Sequence, residues 1–234
     1  MESQRRWVGR HGAFTLVELL SVTAIVIILM ALLISTVGRM SQAGKEAKAM
    51  GTMRNVLRCA AQSQADNGGI YYRKMVAGVG RMYWMQYFTT DYCDFDPNAL
   101  RSPLDSDWDE RLKTLSYALT PSDKRTGFSY AMNIGLPVVY PNKTKEPSLF
   151  YTSGMLTEHL SRAALFFEAK GTLAGFWKGS ELEKHMRFAY QKENAVAVGY
   201  LDGHVDVVKK DDMLDSENSS WTDEQRNIFW TGKP

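Results

Sequence analysis

Cysteine is scarce in this chain: Cys59 and Cys93 are the only two among 234 residues, and no Cys-x-x-Cys pair occurs. That spacing excludes a cysteine-built zinc site. Outside the cytoplasm a Cys59–Cys93 disulfide is one reading, and two separate buried thiols are the other. Neither sign of charge dominates. Lys and Arg number 28 against 26 Asp and Glu, a formal charge of +2, so composition points neither to nucleic acid nor to a strongly acidic substrate. Catalytic patterns are missing as well. There is no nucleophile elbow, phosphate loop or distinct carboxylate pair, and Ser129 and Ser153 have no base beside them in sequence. His11, His159, His185 and His204 form no metal-binding spacing. Nothing in these absences points to an enzyme.

Other absences are local. From Phe14 to Asn67 there is no proline, and only Gly38, Gly44 and Gly51 interrupt the run. Aromatic residues are missing before residue 70 except Trp7 and Phe14, so a core rich in rings belongs to the later part of the chain. No charged residue stands between Leu19 and Gly38. About 20 consecutive apolar residues cross a bilayer core as a helix. Arg5, Arg6 and Arg10 precede them, so the positive-inside rule keeps the short leader in the cytoplasm and exports the rest of the chain. Beyond the span, Met40, Ala43, Ala47, Met50, Met53, Leu57 and Ala60 recur at steps of three and four, which predicts an apolar stripe on a continuing helix. Lys45, Glu46, Lys48, Arg54 and Arg58 take other positions, and Asn67-Gly68-Gly69 ends the run.

Three readings compete for the N-terminal segment: a secretory signal cut after Ala43, an uncleaved signal anchor, or a prepilin leader. Signal-peptide apolar regions run about 7–15 residues, shorter than this one. Glu18 separates the other two, because a carboxylate inside an apolar span costs about 2.5–3.5 kcal/mol near the bilayer centre and a plain anchor has no use for it.

The sequence AFTLVELL and the apolar run after it resemble the cleavage and methylation motif of type IV prepilins and type II secretion pseudopilins. The resemblance implies cleavage between Ala13 and Phe14, N-methylation of Phe14, and Glu18 as the fifth mature residue, pairing with the terminal amine of a neighbouring subunit during assembly. Ala13 stands where family leaders end in Gly. Cleavage after Gly12 would place Glu18 sixth, and cleavage after Ala13 keeps it fifth.

Beyond residue 70 the pattern is mixed. IYYRKMVAGVGRMYWMQYF reads as strand or short helix, and DYCDFDPNALRSPLDSDWDE as an irregular loop. FSYAMNIG starts as a strand and turns at Asn133 and Gly135, and SRAALFFEAKG reads as a strand ending near Gly171. In NAVAVGYLDGHVDVV, Val196, Val198 and Tyr200 alternate, Asp202-Gly203 makes a turn, and Val205 and Val207 alternate after it, which predicts a hairpin. Trp221, Phe229 and Trp230 predict that the polar tail packs back on the head. The expected fold class is α+β, a long helix packed on a small antiparallel sheet. The expected divisions are 1–13 leader, 14–38 transmembrane or filament-core helix, 39–67 amphipathic continuation, and 68–234 extracytoplasmic head.

The stretch ending in Asp202, Gly203, His204 and Val205 also resembles the C-terminal signature of a large bacterial subgroup of pilin-like proteins, a His, nine residues, then Asp-Gly. Lys192 occupies the position of that His, and His185 lies seven residues further upstream. SYAMN and ALFFEAKG resemble internal blocks of the same subgroup. Asp202 beside His204 reads as a turn cap rather than a metal pair. Asp105, Asp107 and Asp109 alternate as oxygen ligands for calcium can. Since some pseudopilins bind calcium in a loop of the head, the resemblance makes these three calcium candidates, with a solvated acidic loop as the plainer reading. No other cofactor is expected.

Taken together, the resemblance implies a non-enzymatic structural subunit. It would sit in the bacterial inner membrane with its N-terminus cytoplasmic, then enter a pilus or pseudopilus. Its implied partners are the prepilin peptidase, other pilin subunits, the assembly machinery and the lipid bilayer. The alternatives are a membrane-anchored binding module that never polymerises and an anchored hydrolase.

Overall fold

In a computed structural model of the chain, the structure describes residues 15–76, 80–92, 96–109, 129–133, 135–136, 149–151, 158–170, 185–191, 193–214 and 218–234. The chain divides into two compact units, Met1–Gly44 and Lys45–Pro234. Helix α1 is Leu16–Asn67. The expected leader with Ala13 and Phe14, Cys93, Lys192 and Ser153 lie outside the described residues.

In the first unit every described side chain of the helix is exposed. Its large apolar side chains from Leu16 to Met40 are 40–80% exposed, so an apolar surface surrounds the helix on every side. Among the described residues this is the one helix long and apolar enough to cross a membrane. A helix apolar all round is built for lipid or for protein neighbours, not for water.

In the second unit, residues 45–67 of α1 pack on a four-stranded antiparallel sheet. The strands are β3 (Tyr130–Met132), β5 (Ala164–Glu168), β6 (Ala195–Tyr200) and β7 (Val205–Lys209), in the order β3-β5-β6-β7. A second sheet orders β2 (Gly80–Tyr83), β1 (Ile70–Val76) and β4 (Leu149–Tyr151) as β2-β1-β4, also antiparallel. The aromatic stretch after residue 70 therefore resolves into a strand hairpin followed by a helix, α2 (Trp84–Tyr92). The long helix stops at Asn67, and Gly68 takes a left-handed φ of 68° that a side chain resists.

The face that α1 buries is Ala49, Met53, Val56, Leu57, Cys59, Ala60 and Ser63. This corrects the expected stripe at its start: Met40, Ala43 and Ala47 are exposed, while Ala49 and Val56 take the inward places. Arg54 and Arg58 are exposed, as the pattern predicts. Each fully buried Met, Val or Leu contributes about 1.5–3 kcal/mol.

Strand β6 sorts its side chains by size. Ala195 and Ala197 join the core under α1, whereas Val196, Val198 and Tyr200 join the core on the opposite face. Small residues under the helix let the two backbones approach, and the opposite face is filled by the tail. Helices α3 (Lys210–Leu214) and α4 (Asp223–Thr231) bring Met213, Phe229 and Trp230 against Phe167, Val198 and Tyr200. The predicted return of the tail is thus observed, with Trp221 half-buried beside Phe229 at 4.9 Å between rings. Helix α4 starts at a reciprocal Thr222–Gln225 cap and ends at Gly232 with a φ of 73°. On the α1 side, Trp84 and Phe88 of α2 pack on Phe166, with Trp84 4.8 Å from that ring.

Candidate functional site

Three places carry the residues singled out by the sequence, and the structure adds a fourth. At the N-terminus, Thr15 and Glu18 satisfy each other. The Thr15 N–H and Oγ1 both donate to Glu18 Oε2, at 2.9 and 2.8 Å, and the Glu18 N–H donates to Thr15 Oγ1 at 3.2 Å. This is a capping box, a Thr at the helix boundary with a Glu three residues on. The signal is present in the sequence as Thr-x-x-Glu before an apolar run, overlapping the Phe14–Glu18 spacing. Glu18 is exposed and lies in the first turn, where the helix dipole also favours an anion.

At the other end, the predicted hairpin forms with a three-residue loop. Tyr200 accepts from the Gly203 N–H at 3.0 Å, and the Tyr200 N–H donates to the His204 carbonyl at 3.0 Å. Gly203 has a φ of 93°, the left-handed position that this turn requires. Asp202 Oδ1 accepts from the His204 N–H at 3.1 Å and meets His204 Nδ1 at 2.5 Å. The His204 ring stacks on Tyr200, with centroids 4.2 Å apart and planes at 4°. Asp202, Gly203 and His204 therefore build the turn itself, each with a local role.

The three calcium candidates do not converge. Asp105 is buried and paired with Arg187 at 2.8 Å. Asp109 is exposed and reaches Arg101 at 3.2 Å, and Asp107 is exposed. Among the described residues no group of three or more His, Cys, Asp or Glu side chains is arranged to hold a metal. The expected solvated loop is corrected too. Leu100, Ser102, Asp105 and Trp108 are all buried, and Asp96 caps a single 3-10 turn, Pro97–Leu100, by accepting from the Asn98 N–H. The alternation of acids reflects one residue turned inward and two left in water. Cys59 is buried in α1.

The fourth place is the buried polar cluster around Asp105, on the α1 side of the sheet. Ser129 Oγ donates to Asp105 Oδ2 at 2.7 Å and accepts from the Ser102 N–H at 2.9 Å. Ser102 Oγ donates to Glu168 Oε1. Arg187 also donates to the carbonyls of Leu104 and Ala169, at 3.2 and 3.3 Å. Burial pushes the Glu168 carboxyl up to about 7, with Asp105 adding to the rise and Ser102, Tyr190 and Arg187 opposing it. Burial and then the Glu168 charge raise the phenols of Tyr130 and Tyr190. Tyr130 closes the cluster toward the helix by donating to the Ala49 carbonyl at 3.2 Å. Ser129 is buried, and its hydroxyl is held by a carboxylate already paired with Arg187. Sequence reasoning missed Glu168 and Arg187. One signal existed: Glu168 shares the parity of the core-facing Phe166 in an otherwise apolar strand.

An N-terminal apolar helix whose second part lies on a four-stranded antiparallel sheet is a pilin-like architecture of the α+β class. No protein-family model, curated protein or solved structure matches this chain.

Proposed function

We propose that this chain is a prepilin-processed structural subunit of a type IV pilus or type II secretion pseudopilus that polymerises through its N-terminal helix. The observation that carries the reading is the apolar surface from Leu16 to Met40, unburied on every side, with Glu18 the one acid within it. Such a surface needs lipid before assembly and neighbouring helices after it. Cleavage before Phe14 by a prepilin peptidase would leave a new amine four residues from Glu18, and in a low-dielectric filament core that amine and the Glu18 carboxylate of a neighbour neutralise each other. The role is one of assembly and not catalysis, with other pilin subunits, the inner-membrane machinery and the bilayer as partners.

One observation favours a second reading, a membrane-anchored binding module that does not polymerise. The Thr15–Glu18 box gives the carboxylate a use within its own chain. Mass spectrometry of the mature N-terminus separates the two. A methylated Phe14 is the expected result. An intact leader supports the anchor, and a start at Gly44 means ordinary secretion; either one defeats the pilin reading.

A further inference from the structure

Among the described residues the buried cluster contains more acid than base. Asp105 and Glu168 are 2% and 0% exposed, and Arg187, 7% exposed, is the cation they share. The groups facing Glu168 come from every surrounding element described: Asp105 from the segment 96–109, Arg187 and Tyr190 from the segment 185–191, and Tyr130 from β3, with Glu46 of α1 acting on Tyr190. Among the described residues none adds a second positive charge. Two buried carboxylates facing one guanidinium leave a net negative charge in a desolvated space, which one proton removes.

The ion pair distinguishes the two acids. Asp105 takes the Arg187 ion pair at 2.8 Å and the Ser129 hydroxyl at 2.7 Å, the surroundings of a carboxylate. Glu168 has the Ser102 hydroxyl on one oxygen, while its Oε2 is buried with no hydrogen-bond partner. The phenol oxygen of Tyr190 is likewise buried outside hydrogen-bond geometry, and Tyr190 is the neighbour that Glu168 faces. Either an acid proton on Oε2 or the phenol O–H can fill that gap, so the assignment rests on Arg187, whose 2.8 Å ion pair is made with Asp105. Burial pushes this carboxyl up to about 7, in accord with the geometry.

We propose that Glu168 is held as a neutral acid in the folded head, and that its ionisation as the pH rises unlatches the segment 96–109 from the sheet. Asp105 and Ser102 belong to that segment and Glu168 to β5, so the like charges stand across the junction. Once both are ionised, relief requires water, and the segment is the cover that must lift to admit it. The sign comes from the raised value. The folded head binds more protons than an open form in which Glu168 is an ordinary acid, so closure is strongest below about 4.5 and weakens until the pH passes about 7.

The test is amide hydrogen exchange of the full chain in detergent micelles at pH 5.5 and 8.5, corrected for intrinsic rates. From the two values above, opening of residues 98–109 is expected to rise by roughly 30-fold across that interval. In Glu168→Gln, a permanent neutral mimic, those amides stay equally protected at both pH values. The same slope in the variant and the wild type overturns the proposal, as does an opening that spreads uniformly over the whole head. Wild-type exchange followed against pH needs no variant: a transition near 7 confined to this segment supports the latch, and its absence sinks it. Processing of Phe14 is not involved, so failure here leaves the assembly reading untouched.

Discussion

A methyl group placed on Gly199 would lie 3.0 Å from Leu57 Cδ1 and 3.1 Å from both its Cδ2 and Cγ. Leu57 of α1 rests on the backbone of β6 at this point, and the helix reaches the sheet because position 199 has no side chain. Gly199→Ala sets this squeeze against a gain of about 0.5–1 kcal/mol from removing glycine from a strand, and is expected to be close to neutral. Gly199→Val overpacks and is expected to cost about 1–3 kcal/mol. The check is denaturant unfolding of the full chain in micelles. In a Leu57→Ala background the valine should cost at least 0.5 kcal/mol less, about the smallest coupling that contacting residues show.

Asp105→Asn leaves the Arg187 guanidinium buried without its carboxylate. Breaking a buried ion pair from one side costs about 3–5 kcal/mol. The loss is expected in chelator and in added calcium alike, because the partner is an arginine and not a metal. Thermal unfolding with and without EDTA checks this. A destabilisation that appears only when calcium is present would restore Asp105, Asp107 and Asp109 as ligands.

The fate of those acids shows how far the sequence could be read. Alternation and turn residues are local signals, so the β6–β7 hairpin, the end of α1 at Asn67 and the return of Trp221, Phe229 and Trp230 were all legible. The segment 96–109 was not. Its polar residues look like a surface loop until Arg187, some 80 residues later in the chain, supplies a charge for Asp105 to meet. The stripe on α1 failed at its start for a similar reason: periodicity defines a face of a helix but not where along it the partner sheet begins. At the N-terminus the local pattern held two messages at once, a capping box and a resemblance to a family motif, in overlapping residues.

Asn133 ties the tail to the sheet. Its Nδ2 donates to the carbonyls of Ala164 at 2.9 Å and Trp230 at 2.8 Å, while its Oδ1 accepts from the Gly135 N–H at 2.8 Å. Asn133→Leu leaves these three backbone groups without their partner in a buried site. Each lost hydrogen bond is worth about 1 kcal/mol, so a loss of about 2–3 kcal/mol is expected. Limited proteolysis should show the tail from residue 218 onward cleaved earlier than in the wild type, since α4 is held by this side chain as well as by its rings.

Thr15 and Glu18 together separate capping from assembly. Thr15→Ala removes the hydroxyl that accepts from the Glu18 N–H and should weaken the helix start by about 1 kcal/mol, while leaving the Glu18 charge in place. Glu18→Gln does the opposite: glutamine still completes a capping box, but the charge is gone. If Glu18 serves only its own helix, Glu18→Gln should behave as wild type and Thr15→Ala should be the more damaging change. If the carboxylate neutralises a neighbour's amine in a filament core, the order reverses. A buried amine without its counter-charge costs several kcal/mol per subunit, far more than a frayed first turn. Co-assembly with wild-type subunits, measured in sheared or cross-linked filaments, is therefore expected to be lost in Glu18→Gln and largely retained in Thr15→Ala. Retention in both variants would count against polymerisation through this residue and in favour of the anchored module.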